Sequence, residues 1–378
     1  MPDNLHGYPH LERQNSFACL HISLDQKTLT ASLHNVELAE LLALQSEQAS
    51  GNAQRALRRA SRRAFTWQSE AADLIEEGRD LTELEGVGPF ISRLLKEWLD
   101  SPPSAPDPPP IRAGFISMAQ AERELAERGP EHWARKPKGD LQMHSTYSDG
   151  YAAIADYAEQ AIELGYQYIA ITDHSKGLKI AGGIDEATLS RQSKEIDAIN
   201  RRTSKQGLTI LKSIEMNITP EGKGDMTPAS LRKLDLVLGA FHSKLRYKED
   251  QTDRYLKAIR NPFVHVLAHP RGRIYNFRLG LTADWDQVFR EAASLDKAVE
   301  IDAFPDRQDL NTEILTIAAA AGVRISIGTD SHHPRQLSYI SLGLTSAANA
   351  GIAPERIVNL MDVDDLLAWT SSLKKLSR

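Results

Sequence analysis

Residues 139–150 read GDLQMHSTYSDG. Within it, 140–144 (DLQMH) is a short β-rich run that ends on His144, and Asp149 follows five residues later. Working outward, the same arrangement recurs along the chain. The runs at 168–172 (YIAIT), 209–214 (TILKSI), 235–241 (DLVLGAF), 264–268 (VHVLA), 298–302 (AVEID) and 323–328 (VRISIG) are each short, apolar and rich in β-branched residues. Helical patterns separate them, among them DYAEQAIELG, TLSRQSKEIDAIN, TADWDQVFREAASL and LNTEILTIAAAAG, the last stopped by Gly322. Short strands alternating with helices predict an α/β fold with a parallel sheet. Seven runs in about 240 residues favour a barrel. An open doubly wound sheet has the same alternation, so periodicity alone does not decide closure.

The chemistry-bearing side chains fall where these runs end. His144 and Asp149 follow the first, His174 the second, Glu215 the third, His242 the fourth, His269 the fifth, and Asp330 with His332 the seventh. In a parallel barrel that is the single rim where active sites form. A lone polar residue there would be an ordinary strand end; eight on six runs are poorly explained that way. Imidazole with carboxylate is the ligand set of Zn, Mn or Fe, and eight candidates exceed one tetrahedral ion, which implies two or three. Cations suited to phosphate oxygens lie close by: Arg271 and Arg273 after His269, Arg307 after the sixth run, and Lys176 and Lys179 after His174. Catalytic roles are expected of His269, Asp330 and Arg271. His265 alternates inside its run and reads as a wall residue, while His6, His10, His21, His34, His132 and His333 read as surface or structural.

The ordered set GDLQMHSTYSDG, ITDHS, SIEMNI, LGAFHS, LAHPRGR and IGTDSHH, spanning about residues 138–345, resembles the motifs of the PHP (polymerase and histidinol phosphatase) superfamily. The resemblance implies a distorted seven-stranded barrel with a trinuclear metal centre and phosphoesterase activity. It implies a first metal on His144, Glu215 and Asp330, a second on the bridging Glu215 with His242 and His269, and a third on Asp149, His174 and His332. Gln142 stands where that family opens with a histidine ligand, and its amide oxygen is a weaker ligand than imidazole. Asn217 and Ser213 also depart from the usual Asp and Gly. The same Gln is a feature of the branch fused to X-family DNA polymerases.

A proline-rich stretch, SPPSAPDPPP at 101–110, divides the chain and reads as a semi-rigid spacer, with a connecting helix expected near 117–127. Residues 1–34 are an arm of undetermined structure, 35–100 a helical module, 101–137 linker and connecting helix, and 138–378 the α/β domain. In the helical module, 81–99 (LTELEGVGPFISRLLKEWL) predicts helix, turn, helix, with Gly86 and Gly88 opening backbone N–H groups to phosphate. The pattern resembles a helix-hairpin-helix. Before it, Arg55, Arg58, Arg59, Arg62 and Arg63 share one face of a predicted helix, opposite Leu57, Ala60 and Ala64, and that face suits a nucleic-acid backbone. Residues 35–99 resemble the small N-terminal domain of X-family polymerases, without their palm. That domain's lyase lysine would fall near Leu94, so lyase activity is not expected.

The formal net charge of −6 is mild and excludes no partner, because a cationic helix is offset by acids elsewhere. One cysteine, Cys19, excludes a disulfide framework and suits a reducing cytosol. No apolar run reaches the length of a membrane span. The expectation is a cytoplasmic, metal-dependent phosphoesterase acting on DNA without sequence specificity, at 3′ ends. A small-molecule phosphatase of histidinol-phosphatase type and a non-catalytic DNA-binding scaffold are the alternatives.

Overall fold

A computed structural model describes residues 33–375, and these form one compact unit. Residues 1–32 of the expected arm, with Cys19, His6, His10 and His21, lie outside the described residues.

The helical module opens with α1 (Asn35–Gln48) and α2 (Gly51–Arg63), followed by α3 (Ala71–Glu76), α4 (Pro89–Asp100) and α5 (Met118–Glu127). Leu38 and Leu42 of α1 meet Leu57 and Ala60 of α2, with Trp67, Leu74, Leu81, Ile91 and Leu95 completing the core. Ser117 caps α5 by accepting from the Gln120 N–H.

The segment before Gly86 departs from the expected hairpin. Helix α3 ends at Glu76, and only a 3-10 turn (Leu81–Glu83) precedes the glycines. Gly78 at φ +72° ends α3, and the Asp80 carboxylate accepts from Thr82 N–H to start the short turn. Gly86 at φ +82° lies so close to α2 that a Cβ would stand 3.1 Å from Arg63 Cγ.

Eight strands follow: β1 (Gly139–Met143), β2 (Tyr168–Ile171), β3 (Thr209–Lys212), β4 (Glu215–Asn217), β5 (Leu238–Ala240), β6 (Val266–Leu267), β7 (Ala298–Asp302) and β8 (Arg324–Gly328). All pair in parallel, as one sheet β1-β2-β3 and a second β4-β5-β6-β7-β8. The expected third run therefore continues past Ser213-Ile214 into a separate strand that joins the other sheet, and Glu215 opens β4 instead of following a strand. Isolated bridges His174↔Glu215 and Met143↔Ser331 link the two sheets at both seams. Inward side chains of both sheets, including Leu141, Tyr168, Leu211, Leu238, Val266 and Ala298, form one buried cluster. Leu366, Trp369 and Leu373 of the last helix (Val363–Lys375) cover it from one end.

The helical module is packed against the α/β part. Phe65, Phe115 and Tyr275 form an aromatic triad with ring centroids 4.7–5.7 Å apart, and Ser61 Oγ and Tyr275 Oη lie within 3.1 Å. Arg112, directly after the proline-rich stretch, donates to both oxygens of Glu40 at 2.8 Å and to Glu47 at 2.7 Å, and also reaches Asn276 at 3.2 Å. Each aromatic pair contributes roughly 0.5–1.5 kcal/mol beyond its buried area.

Candidate metal centre

The site is assembled from loops that leave the strands on one side. The loop after β1 carries His144 and Asp149, and it is pinned by the buried carboxylate of Asp173. Asp173 accepts from Ser145 N–H at 2.9 Å, Ser145 Oγ at 2.6 Å, Ser148 N–H at 3.1 Å, Gln192 Nε2 at 2.5 Å and the Ser148 hydroxyl. Gly150 closes the same loop, where any Cβ would collide with the His144 carbonyl.

The eight expected side chains converge. His144 Nε2 lies 2.9 Å from Asp330 and 3.4 Å from Glu215, and His174 Nδ1 lies 3.0 Å from Glu215. His242 Nε2 and His269 Nε2 approach Glu215 Oε1 at 3.0 and 2.6 Å. Asp149 Oδ1 faces His174, His332 and His144 at 3.6, 3.4 and 3.9 Å. Three overlapping groups have ligand atoms within 4.8 Å of one another: His144, Asp149, His174 and His332; His174, Glu215 and His242; His144, Glu215 and Asp330.

Two neighbouring groups orient these ligands. His332 Nδ1 donates to the Asp330 backbone carbonyl at 2.8 Å, which can only accept, so Nε2 is the ring nitrogen that faces Asp149. The Asn217 side-chain oxygen lies 3.3 Å from His242 Nδ1 and leaves Nε2 facing Glu215. His269 and Asp330 adopt φ +25° and +50°, the left-handed region that non-glycine residues enter where surrounding structure enforces it.

A divalent ion fits this donor set. Both ring nitrogens of buried His144, Nδ1 of His174 and Oε2 of Glu215 have no hydrogen-bond partner. Such atoms are costly to bury unless something coordinates them. The electrostatics point the same way. Burial alone would raise Glu215, but His174, His242 and His269 hold it well below the carboxylate range. Burial alone would lower His269 and His332, yet Glu215 lifts the first to about 10 and Asp149 lifts the second to about 9. The carboxylates thus favour positive charge at these two imidazoles, and a bound cation would take the place of their protons.

The remaining expected residues divide. Gln142 is fully buried beside Glu300, and the amide orientation that satisfies both groups turns its nitrogen to that carboxylate at 2.6 and 2.9 Å, which commits that half of the amide to an acid. Arg307 reaches the centre: its Nη1 lies 2.5 Å from Asp330 and 3.6 Å from Asp302. Arg273 does not. It is buried, donates to the Ala113 carbonyl at 2.9 Å and lies 3.8 Å over the Phe115 ring, so it holds the module-to-strand contact instead of a phosphate. Arg271 donates to the backbone carbonyls of Leu279 and Leu281, Lys176 is paired with Glu186 at 2.7 Å, and Lys179 is exposed.

On α2, Arg55, Arg58, Arg59 and Arg62 are exposed and Arg63 is half-buried. Arg55 donates to the Asn52 side chain, Arg62 pairs with Asp306 and Arg63 with Glu85, each of these two ion pairs at 3.2 Å. Gly88 precedes α4 as its N-cap, with Pro89 at the first helical position. His265 is buried and accepts from Val237 N–H at 3.0 Å, while His34 is the N-cap of α1 and His132 and His333 cap short 3-10 turns.

Two acids escaped the sequence reading. Glu300 accepts from the His269 N–H at 2.7 Å, and Asp302 stands beside Arg307. Burial, with Asp330 adjacent, raises Asp302 to about 8. The signal was available: Ala298, Glu300 and Asp302 alternate on one face of a strand that is buried throughout, and acids there need a partner.

Residues 140–328 match the PHP domain family. Over 233 residues the chain is 39% identical to the DNA polymerase/3′-5′ exonuclease PolX of Bacillus subtilis, a match covering 61% of this chain and 40% of that protein. The chain thus spans less than half of that relative's length. A probable phosphatase of Thermoanaerobacter sp. is 30% identical over 249 residues, covering 62% of this chain and 95% of that protein. The solved structure of histidinol phosphate phosphatase from Lactococcus lactis, complexed with zinc, L-histidinol and phosphate, aligns at a TM-score of 0.43 and 18% identity, over 57% of this chain and 95% of that one. No helix among the described residues is long and apolar enough to cross a membrane. With half of its length matched to the family, the chain belongs to the PHP domain family and is a metal-dependent phosphoesterase.

Proposed function

We propose that this centre hydrolyses phosphoesters of DNA, at 3′ ends, with two to three divalent ions of Mn, Zn or Fe. The observation that carries the reading is continuity between the ligand cluster and the arginine helix. Arg62 of α2 pairs with Asp306, the next residue is Arg307, and Arg307 pairs with the candidate ligand Asp330. A backbone held along α2 therefore runs toward the centre.

His144, Glu215 and Asp330 would hold one ion, Glu215 with His242 and His269 a second, and Asp149, His174 and His332 a third. Bound there, divalent ions supply Lewis acidity toward phosphoryl oxygens and lower the pKa of water. Arg307 keeps Asp330 ionised and presents a guanidinium to the phosphate oxygens. Asn217 and the Asp330 carbonyl hold His242 and His332 in the tautomers that face the cluster.

A small-ester phosphatase uses the same cluster, and the probable phosphatase relative supports that second reading. It gives no role to the exposed arginines of α2. A non-catalytic scaffold gives no reason for eight converging ligands.

The test is metal analysis of the purified chain together with hydrolysis of 3′-labelled DNA and of histidinol phosphate. Two or three ions per chain and release of the 3′ label are expected. Turnover of histidinol phosphate alone supports the second reading, and a chain that binds no ion from Mn or Zn solution overturns both.

A further inference from the structure

Eight large apolar side chains are exposed among the described residues, and five of them, Tyr151, Ile180, Tyr247, Phe277 and Leu279, lie on loops that follow β1, β2, β5 and β6. Those loops carry the candidate ligands His144, His174, His242 and His269. Surface apolar residues scattered at random need no explanation, but their concentration around one site does.

The two aromatic members share a further feature. Phe277 is 54% exposed and the Arg246 guanidinium lies 4.6 Å over its ring; Tyr247 is 46% exposed and Lys244 Nζ lies 5.7 Å over its ring. Arg246 Nη1 also donates to the Phe277 carbonyl at 3.4 Å, which ties the loop after β5 to the loop after β6. Across residues 241–251 and 269–281, leaving out the buried Arg273, there are five lysines and arginines against two acids, Glu249 and Asp250. Asp250 is engaged in accepting from the Thr252 N–H at the start of the next helix. The surface is thus cationic and aromatic, with each ring about half exposed.

Resting on the DNA reading above, we propose that Phe277 and Tyr247 form a stacking platform for the unpaired bases of a single strand, with Arg246, Lys244 and Arg278 neutralising its phosphates. A base in a duplex offers no free face to such a ring. A single strand offers a π-face at every residue, and base–aromatic stacking with cationic flanks is how single strands are held without sequence preference. The platform makes a single-stranded 3′ end, not a paired one, the substrate of the centre.

The experiment compares the full chain with Phe277→Ala, Tyr247→Ala and Phe277→Trp. Readouts are fluorescence anisotropy of a labelled oligo-dT, and kcat and KM on a single-stranded oligonucleotide, a blunt duplex and bis(p-nitrophenyl) phosphate. Exposed Leu164, outside these loops, supplies a control substitution. The expected result is a loss of about tenfold in single-strand affinity for each alanine variant, carried by KM, with Phe277→Trp near wild type. The ratio of single-strand to small-ester kcat/KM falls by the same factor. Equal losses on both substrates, or no loss on the single strand, overturn the platform while leaving DNA hydrolysis standing. A wild-type chain that turns over the small ester but neither binds nor cleaves DNA overturns the platform and the DNA reading together.

Discussion

Arg273 separates a phosphate-binding role from an architectural one. In the sequence it follows His269 closely and reads as a phosphate contact; in the structure its guanidinium lies 3.8 Å over Phe115 and donates to the Ala113 carbonyl. A desolvated cation–π contact contributes about 2 kcal/mol and a charge-assisted hydrogen bond about 1.5–3. Burial lowers the Arg273 pKa to about 10, so desolvation offsets part of that gain. The net loss for Arg273→Ala is about 2 kcal/mol. At roughly 2.1 cal/mol/K per residue, a unit of about 340 residues unfolds with an entropy near 0.7 kcal/mol/K, so the midpoint falls by about 3 °C. Thermal unfolding by circular dichroism, read beside KM for DNA and for a small phosphoester, checks this. A KM raised tenfold with an unchanged midpoint would refute the architectural role.

Four further outcomes are expected. Glu215→Gln removes the carboxylate shared by four imidazoles, and the chain should lose at least one ion by plasma mass spectrometry; unchanged stoichiometry contradicts the bridging assignment. Arg307→Gln should lower kcat on DNA by about 10²–10³ with ions retained, as for loss of a charge-stabilising donor, whereas loss of ions instead would make Arg307 a positioning residue. Arg58→Ala/Arg59→Ala should reduce the slope of log affinity against log salt by about 1.8 if both touch phosphates, and an unchanged slope leaves that face merely solvated. His265 is depressed to about 3 by burial, so it stays neutral in the folded chain while the unfolded chain takes up a proton below its ordinary 6.5. Its contribution to stability is therefore present above pH 6.5 and lost at about 1.4 kcal/mol per unit as pH falls toward 3. His265→Asn, which can keep the acceptor for Val237 N–H, should flatten that part of the pH–stability curve measured by urea unfolding.

Strand runs and ligand types were legible because both are local properties. Apolar β-branched runs such as 168–172 and 323–328 specify extended backbone, and imidazoles or carboxylates that end them are visible one at a time. What escaped involves contacts between segments. The break at Ser213-Ile214, which moves Glu215 onto a separate strand, comes from pairing with β5 and the bridge to His174, far apart in sequence. The expected helix before Gly86 is interrupted because Gly78 and Asp80 satisfy local turns that outweigh the apolar pattern of Leu81 and Leu84.

The arginines show the division most clearly. Sequence alone determined that 51–67 carries five arginines and no acid, and that Arg271, Arg273 and Arg307 lie near strand ends. Only the tertiary structure decided their partners: Arg307 beside Asp330, Arg273 over Phe115, Arg62 on Asp306. A long guanidinium side chain can serve phosphate, carboxylate, carbonyl or aromatic ring equally well. Its role is fixed by which of these the fold brings within about 4 Å, and periodicity along the chain carries no information about that.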